Sequence, residues 1–521
     1  MATTRTSIIF FFLGAVATVS FAAPTPPATS AWVHAGGDGK LAYQALPAGD
    51  RIMDFSTAGY RGGGIALPEV PEKKRVRPSG ADDTAAIQAA LDEVAALPLE
   101  KGFRGAVVLE RGEFRCEATL NLRASGVVLR GSGAGEGGTQ VTMLGKTHAA
   151  FTLGAGGRDA SAKPKGTPVA VADVYVPSGA RSLAVRDGSG FKVGDIVLVQ
   201  HPVTAEWVKF MGMDGLVRDG KKETWLAVGR SIEAERTITA VAGNTLTLDV
   251  PLTDSLDAKY LSPPGATVVR CTPPARLAQI GIESLRVFAP PQPVTITDPH
   301  HTAVRVGAVE DAWLRDVAIV DTVDTITLGA SSRRLTIERV AISHTVATKG
   351  AAKPADFSVN GSQILLHACT DQGDSVFYLA TGAGVTGPIV LLDCEFRGGG
   401  WIQPHQRWAT GLLIDNCRVP GGGIDFMNRG QMGSGHGWAI GWAVAWNCTA
   451  KSFLVQRPPG AANWLIGCAG ELQHRPMPFD GKGDLPAGIV DSPGVPVAPV
   501  SLYRAQLAER LGLIAVKAAG L

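Results

Sequence analysis

His405, Arg407, Arg429 and His436 fall in one stretch, Trp401 to Cys468, that also carries six of the chain's ten tryptophans. A packed core has no need of guanidinium, imidazole and indole groups side by side. A surface that stacks sugar rings and holds acidic groups uses all three. These residue types suit β-elimination on a uronic-acid polysaccharide. That reaction needs a cation to neutralise the substrate carboxylate, a base for the proton on the adjacent carbon, and an acid for the leaving oxygen. Arginine holds a carboxylate through two parallel hydrogen bonds, and histidine moves protons near neutral pH. His405, Arg407, Arg429 and His436 are therefore the candidate catalytic groups. Trp401, Trp408, Trp438, Tyr378 and Arg457 are the candidate substrate-binding groups.

The elements that must position them are short. Apolar runs end in a repeated step: LLHAC (365–369), LLDC (391–394), LIDNC (413–417), VAWNC (444–448) and LIGC (465–468). From cysteine to cysteine the spacings are 25, 23, 31 and 20 residues. GIESLRV (281–287), WLRDVAI (313–319) and LTIERVAI (335–342) read as earlier copies without cysteine. Irregular repeats of this length, with β-rich runs and Gly/Asn turns, mark a β-solenoid. Each coil buries its apolar face only against its neighbours, so the five cysteines are expected to stack as small buried hydrophobes. A total of seven cysteines, an odd number in a long chain, does not suit a disulfide framework. Counted from these markers, His405 and Arg407 lie 11 and 13 residues past Cys394, and Arg429 lies 12 past Cys417. Tyr378 lies 9 past Cys369, and Arg457 lies 9 past Cys448. Equal offsets on stacked coils stand about 4.8 Å apart, which predicts one stripe along the solenoid. The longest step carries GSGHGW (433–438), which puts His436 on a raised loop where its flanking glycines let backbone approach a ligand.

The order ADDTAAIQAALDEV (81–94), GAVVLERGEFRCEATLNL (105–122), GVVLRGSG (126–133) resembles the N-terminal part of the pectate-lyase superfamily. HQRWATGLLIDN and NRGQMGSGHGW, within 363–470, are similar to an exported bacterial branch of it. The resemblance implies an all-β chain, a right-handed parallel β-helix whose N-terminal end is closed by a helix. Asp82 or Asp83 can cap that helix, with Ile87, Leu91 and Val94 on its inner face. No catalytic assignment comes with the resemblance, so the site residues rest on chemistry and spacing. The expected layout is a signal peptide over 1–23, an extended lead-in over 24–80, and the solenoid over 81–470. A β-structured insertion occupies 168–260, where GDIVLV and NTLTLDV break the coil rhythm. A Pro/Gly-rich tail and a C-terminal helix fill 471–521. The leader, Arg5 before an apolar run and small residues near Ala22, predicts a secreted or periplasmic protein. No later run reaches the length of a membrane span.

A formal net charge of +2 gives no electrostatic case for nucleic acid, so the expected partner is a polysaccharide. Two rival functions stand beside the lyase. One is a glycoside hydrolase using an Asp acid/base pair, drawn from Asp371, Asp374, Asp393, Asp415 and Asp425, with Asp393 and Asp415 on adjacent coils. Gly-His-Gly is similar to polygalacturonase-like glycosidases, but their Asn-Thr-Asp segment and their Asp-Asp pair on successive coils are missing. The other is a carbohydrate-binding or surface protein without catalysis. No metal motif is present. Calcium is the one ion the acidic steps DTVD (321–324) and DQGD (371–374) could hold.

Overall fold

The computed structural model describes residues 27–154 and 159–521. The expected signal peptide lies outside the described residues. The core of the molecule is a parallel β-helix, with 29 strands joined in one continuous sheet. Three ladders run along it. The first stacks Ile337, Leu366, Leu391, Ile414, Ala445, Leu465 and Val490 on successive coils. The second passes through Ile342, Asp371 and Phe396. The third passes through Leu379, Ile402, Ile424 and Phe453.

The repeated step before each cysteine has a backbone cause. Between the first and second ladders one residue per coil turns left-handed. These are Asp316, Arg339, Ala368, Asp393, Asn416, Asn447 and Gly467, with φ of 55°, 49°, 51°, 52°, 56°, 50° and 66°. Asp, Asn and Gly tolerate that conformation best. The next residue points inward. Cys369, Cys394, Cys417, Cys448 and Cys468 are all buried and free. Their thiols donate to carbonyls of the coil beneath, as Cys369 Sγ does to Ile337 O at 3.4 Å.

Strands of the first ladder are apolar on both faces, which is why they read as continuous runs rather than alternating ones. Leu366, Leu391 and Ile414 face the solenoid interior. Leu365, Val390, Leu413, Val444 and Trp464 face a second core. The lead-in, the insertion and the C-terminal helix Leu502–Leu511 build the other side of that core. Tyr503 Oη donates to Ala58 O at 2.7 Å, and Gln506 accepts from Phe55 N at 2.9 Å. The helix Thr84–Ala95 closes the N-terminal end with Ile87, Leu91 and Val94 buried. Asp82 takes the Thr84 N–H at 3.0 Å, while Asp83 ties Ser79 N and Arg115 N.

The insertion is a six-stranded antiparallel module between Lys163 and Thr272. It leaves the solenoid after the third-ladder strand Ala149–Leu153 and returns before Gly281–Phe288 in the first. Its helix Ala205–Phe210 lays Trp207 against Trp225 and Trp408, at ring distances of 5.0 and 6.0 Å.

Candidate active site

The turn from the third ladder back to the first carries the predicted catalytic residues. His405 and Arg407 lie between Trp401–Ile402 and Ala409–Asp415. Arg429 and His436 lie between Arg418–Phe426 and Ile440–Gly441, one coil on. Three of the side chains meet, and Arg407 joins them through its backbone N–H, which donates to His436 O at 2.9 Å. Arg429 Nη1 donates to His405 Nδ1 at 3.1 Å, and the His405 and His436 rings stand 4.7 Å apart. Arg407 Nη2 reaches across to Ser434 O and Oγ at 2.6 and 2.7 Å, holding the 428–438 loop against its own coil.

The cluster's electrostatics follow from what it lacks. Other solenoid arginines are paired with acids, for example Arg333 with Glu235 and Glu310, or Arg339 with Asp316. Among the described residues neither Arg407 nor Arg429 has a carboxylate within 4 Å. Arg429 bonds Gln403 Oε1, whose Nε2 donates to Asp425 Oδ2 at 2.7 Å. Burial pulls the Arg429 guanidinium down to about 10 and pushes the Asp425 carboxyl up to about 6. Burial first, then the Arg429 charge, hold the His405 and His436 imidazoles down at about 3 and about 4. Both rings are therefore neutral at pH 7. His405 accepts at Nδ1, so its proton sits on Nε2 and faces outward from that bond as a donor. His436 Nδ1 is buried without a hydrogen-bond partner.

Phe377 floors the cluster, with His405 edge-on at 5.0 Å and the Arg429 guanidinium over its ring at 5.3 Å. Trp401 pairs with Phe377 on the neighbouring rung and is partly exposed, so it remains beside the cluster as a flat surface. The other aromatic expectations need correction. Trp408 and Trp438 are 2% and 3% exposed. Their indole nitrogens bond Asp254 Oδ2 and Met211 O of the insertion at 2.6 and 3.1 Å, so neither offers a face to a sugar. Tyr378 points into the solenoid, where its hydroxyl bonds Gly373 O and Arg397 O and accepts from Gly400 N. Gly437 serves packing on Trp225 rather than ligand approach: a Cβ there would stand 2.3 Å from Trp225 Cδ1.

Arg457 is exposed and lines a different feature, a pocket of about 290 Å³ between the lead-in, the insertion and the coils. Phe210 and Tyr260 stack at 3.9 Å in its wall. Three carboxylates line it: Asp254 is held by Trp408 and Trp442, Asp50 by Tyr175 and Ser178, and Asp257 accepts from Lys259 N. The Asp393–Asp415 pair is likewise occupied. Asp393 bonds Arg504 and Asn416, while Asp415 is fully buried under the C-terminal helix and accepts from Ser501 and Tyr503. The acids of DTVD and DQGD do not converge as calcium ligands. Asp321 and Asp324 take Thr345 and Ala355 N–H groups, and Asp374 takes Gly399 N on the surface while Asp371 lies inside. Gln403 and Phe377 are not among the sequence candidates, and Asp425 is there only as a possible hydrolase acid. Gln403 and Asp425 lie 9 and 8 residues past their cysteines, and the pairing of Ile402 with Ile424 puts them on one rung position.

The strand pairing defines the class: a parallel β-helix with an elaborated third-to-first corner. No family model matches the chain, and no curated protein matches it by sequence. Among solved structures it is similar to the tailspike of E. coli bacteriophage HK620 (11% identity, 81% of this chain and 61% of that one, TM-score 0.39). It is also similar to the tailspike gp49 of Pseudomonas phage LKA1 (13% identity, 75% and 69%, TM-score 0.38). A third is the gp54 tailspike of Acinetobacter baumannii bacteriophage AP22, in complex with capsular saccharide (10% identity, 79% and 63%, TM-score 0.36). The chain spans less than two thirds of the length of the HK620 and AP22 proteins.

Proposed function

We propose that this chain acts on a polysaccharide, as a lyase that cleaves a uronate-containing glycan by β-elimination at the His405–Arg407–Arg429–His436 cluster. The observation that carries this reading is a buried guanidinium with two neutral imidazoles and, among the described residues, no acid within ion-pair distance. A substrate carboxylate supplies the missing charge. Arg429, with Arg407 at the open edge, neutralises it and acidifies the proton on the adjacent ring carbon. His436, a neutral imidazole, takes that proton. A C=C bond forms as the C–O bond to the leaving sugar breaks. The leaving oxygen takes a proton, a role that His405 Nε2–H can fill. Trp401 gives a neighbouring sugar a face to stack on.

The test is a panel of acidic and neutral polysaccharides, scored for ultraviolet absorbance of an unsaturated uronate and for new reducing ends. A lyase gives both on an acidic glycan. Arg429→Ala and His436→Ala are expected to lower the rate by about 10²-fold or more. Reducing ends without absorbance would mean hydrolysis and would overturn the lyase assignment. A second reading, glycan binding without cleavage, draws on the aromatic-walled pocket with its three carboxylates. It predicts retention on a glycan with neither signal. The Asp-pair hydrolase has no such support, because Asp393 and Asp415 are held by the C-terminal helix.

A further inference from the structure

Away from the cluster, the corner between the second and third ladders buries acids inside the solenoid. Asp356 is fully buried and Asp371 is 2% exposed. His344 Nε2 stands 3.0 Å from both Asp356 carboxylate oxygens. Thr325 Oγ1 donates to Asp356 Oδ1 at 2.7 Å, which leaves the second carboxylate unserved. Both oxygens of Asp371 are buried with no N–H or hydroxyl donor, and the group that faces them is the Asp356 carboxyl. One ligating atom from each of His344, Asp356 and Asp371 lies within 4.8 Å of the others. Asp321 adds a further negative charge that acts on His344. No Lys or Arg is bonded to Asp356 or Asp371 among the described residues. Two carboxylates in one dry corner repel, and an unpartnered buried one is costly.

The geometry points to a divalent transition-metal ion, Zn2+ or Mn2+, held by His344, Asp356 and Asp371. An ion bound at about 2.1 Å to tetrahedral ligands spaces them about 3.4 Å apart, so closing the present span needs side-chain adjustment of about 1 Å. One imidazole and two carboxylates suit a borderline ion; calcium prefers six to eight oxygens. The donors come from three strands or turns of adjacent coils: after Ala341–Ser343, within Ala355–Val359, and within Thr370–Gln372. The ion therefore ties coils together from inside. His344 also borders a small pocket that it shares with Asp321 and Thr322. This site is independent of the proposed catalytic cluster, so its outcome does not decide that reading.

The experiment uses the full mature protein, stripped with a chelator, desalted, and then exposed to ZnCl2, MnCl2 or CaCl2. The readouts are metal retained after a second desalting and the thermal midpoint. About one Zn2+ or Mn2+ per chain is expected, with the midpoint raised by about 2–4 °C. Asp371→Asn and His344→Gln should abolish both effects. Asp374→Asn, on the surface of the same DQGD segment, should leave them intact. If wild type retains no metal and its midpoint does not move, the two carboxyls share a proton and the proposal fails. Undiminished retention in Asp371→Asn, or equal loss in Asp374→Asn, also overturns it. Should Asp371→Asn not fold, the wild-type metal content decides.

Discussion

At the scale of single residues, the two imidazoles make the cluster's charge state visible in stability. An unfolded histidine titrates near about 6.5, whereas His405 and His436 in the fold are held at about 3 and about 4. Between those values the unfolded chain binds more protons than the folded one, so stability rises with pH there. It is complete above about 6.5 and is lost as pH falls towards 4. Asp425 works the other way, because a carboxyl raised to about 6 in the fold costs stability as pH climbs through that range. Comparing wild type with His405→Gln/His436→Gln isolates the histidine part, since Asp425 is common to both. The double variant should show a slope of thermal midpoint against pH that is less positive, or more negative, than that of wild type between 4 and 6.5. An unchanged slope would mean that the imidazoles are not buried neutral, and the site's electrostatics as described would be wrong.

At the scale of elements, the repeat was legible because it has a local cause. A left-handed residue followed by a small inward side chain recurs as Asp-Cys, Asn-Cys or Gly-Cys, and this needs no tertiary information. The same register put His405, Arg407 and Arg429 on one corner. Tyr378 shows where counting from cysteine fails. Its offset of 9 matches Arg457, but its coil turns later, so it falls inside strand Phe377–Ala380 and points inward. The glycines around His436 misled for a different reason. In the sequence they suggest room for a ligand, but Gly437, at φ 55°, makes room for Trp225 and Met213. Gly437→Ala would combine a left-handed Cβ with overpacking, an expected loss of about 2–4 kcal/mol. Urea unfolding measures it. A loss well under 1 kcal/mol would show that the loop is not pinned between coil and insertion.

At the scale of the whole molecule, the tryptophans were the hardest residues to read. Their density suggested an exposed sugar-binding surface. In the fold Trp408, Trp438, Trp442 and Trp464 belong instead to the second core, which the lead-in, the insertion and the C-terminal helix cover. A single sequence carries the signature of the insertion's own antiparallel strands, but nothing in it says which face of the solenoid they cover. Asp254 shows how that contact is made specific. It follows the insertion's last hairpin and accepts Trp408 Nε1 at 2.6 Å and Trp442 Nε1 at 2.8 Å. One carboxylate thus binds the module to two successive coils, directly behind Arg407. Removing it leaves two buried indole N–H groups without acceptors, at about 1–3 kcal/mol each. Asp254→Ala is therefore expected to cost about 2–5 kcal/mol in urea unfolding. Asp254→Asn, which keeps one acceptor oxygen, should lose about half as much. Because Trp408 adjoins Arg407 in the chain, loosening this joint should also lower the rate of the proposed cleavage, even though Asp254 is not part of the cluster. An Asp254→Ala variant as stable as wild type would show that packing alone seats the insertion and that the corner needs no polar clamp.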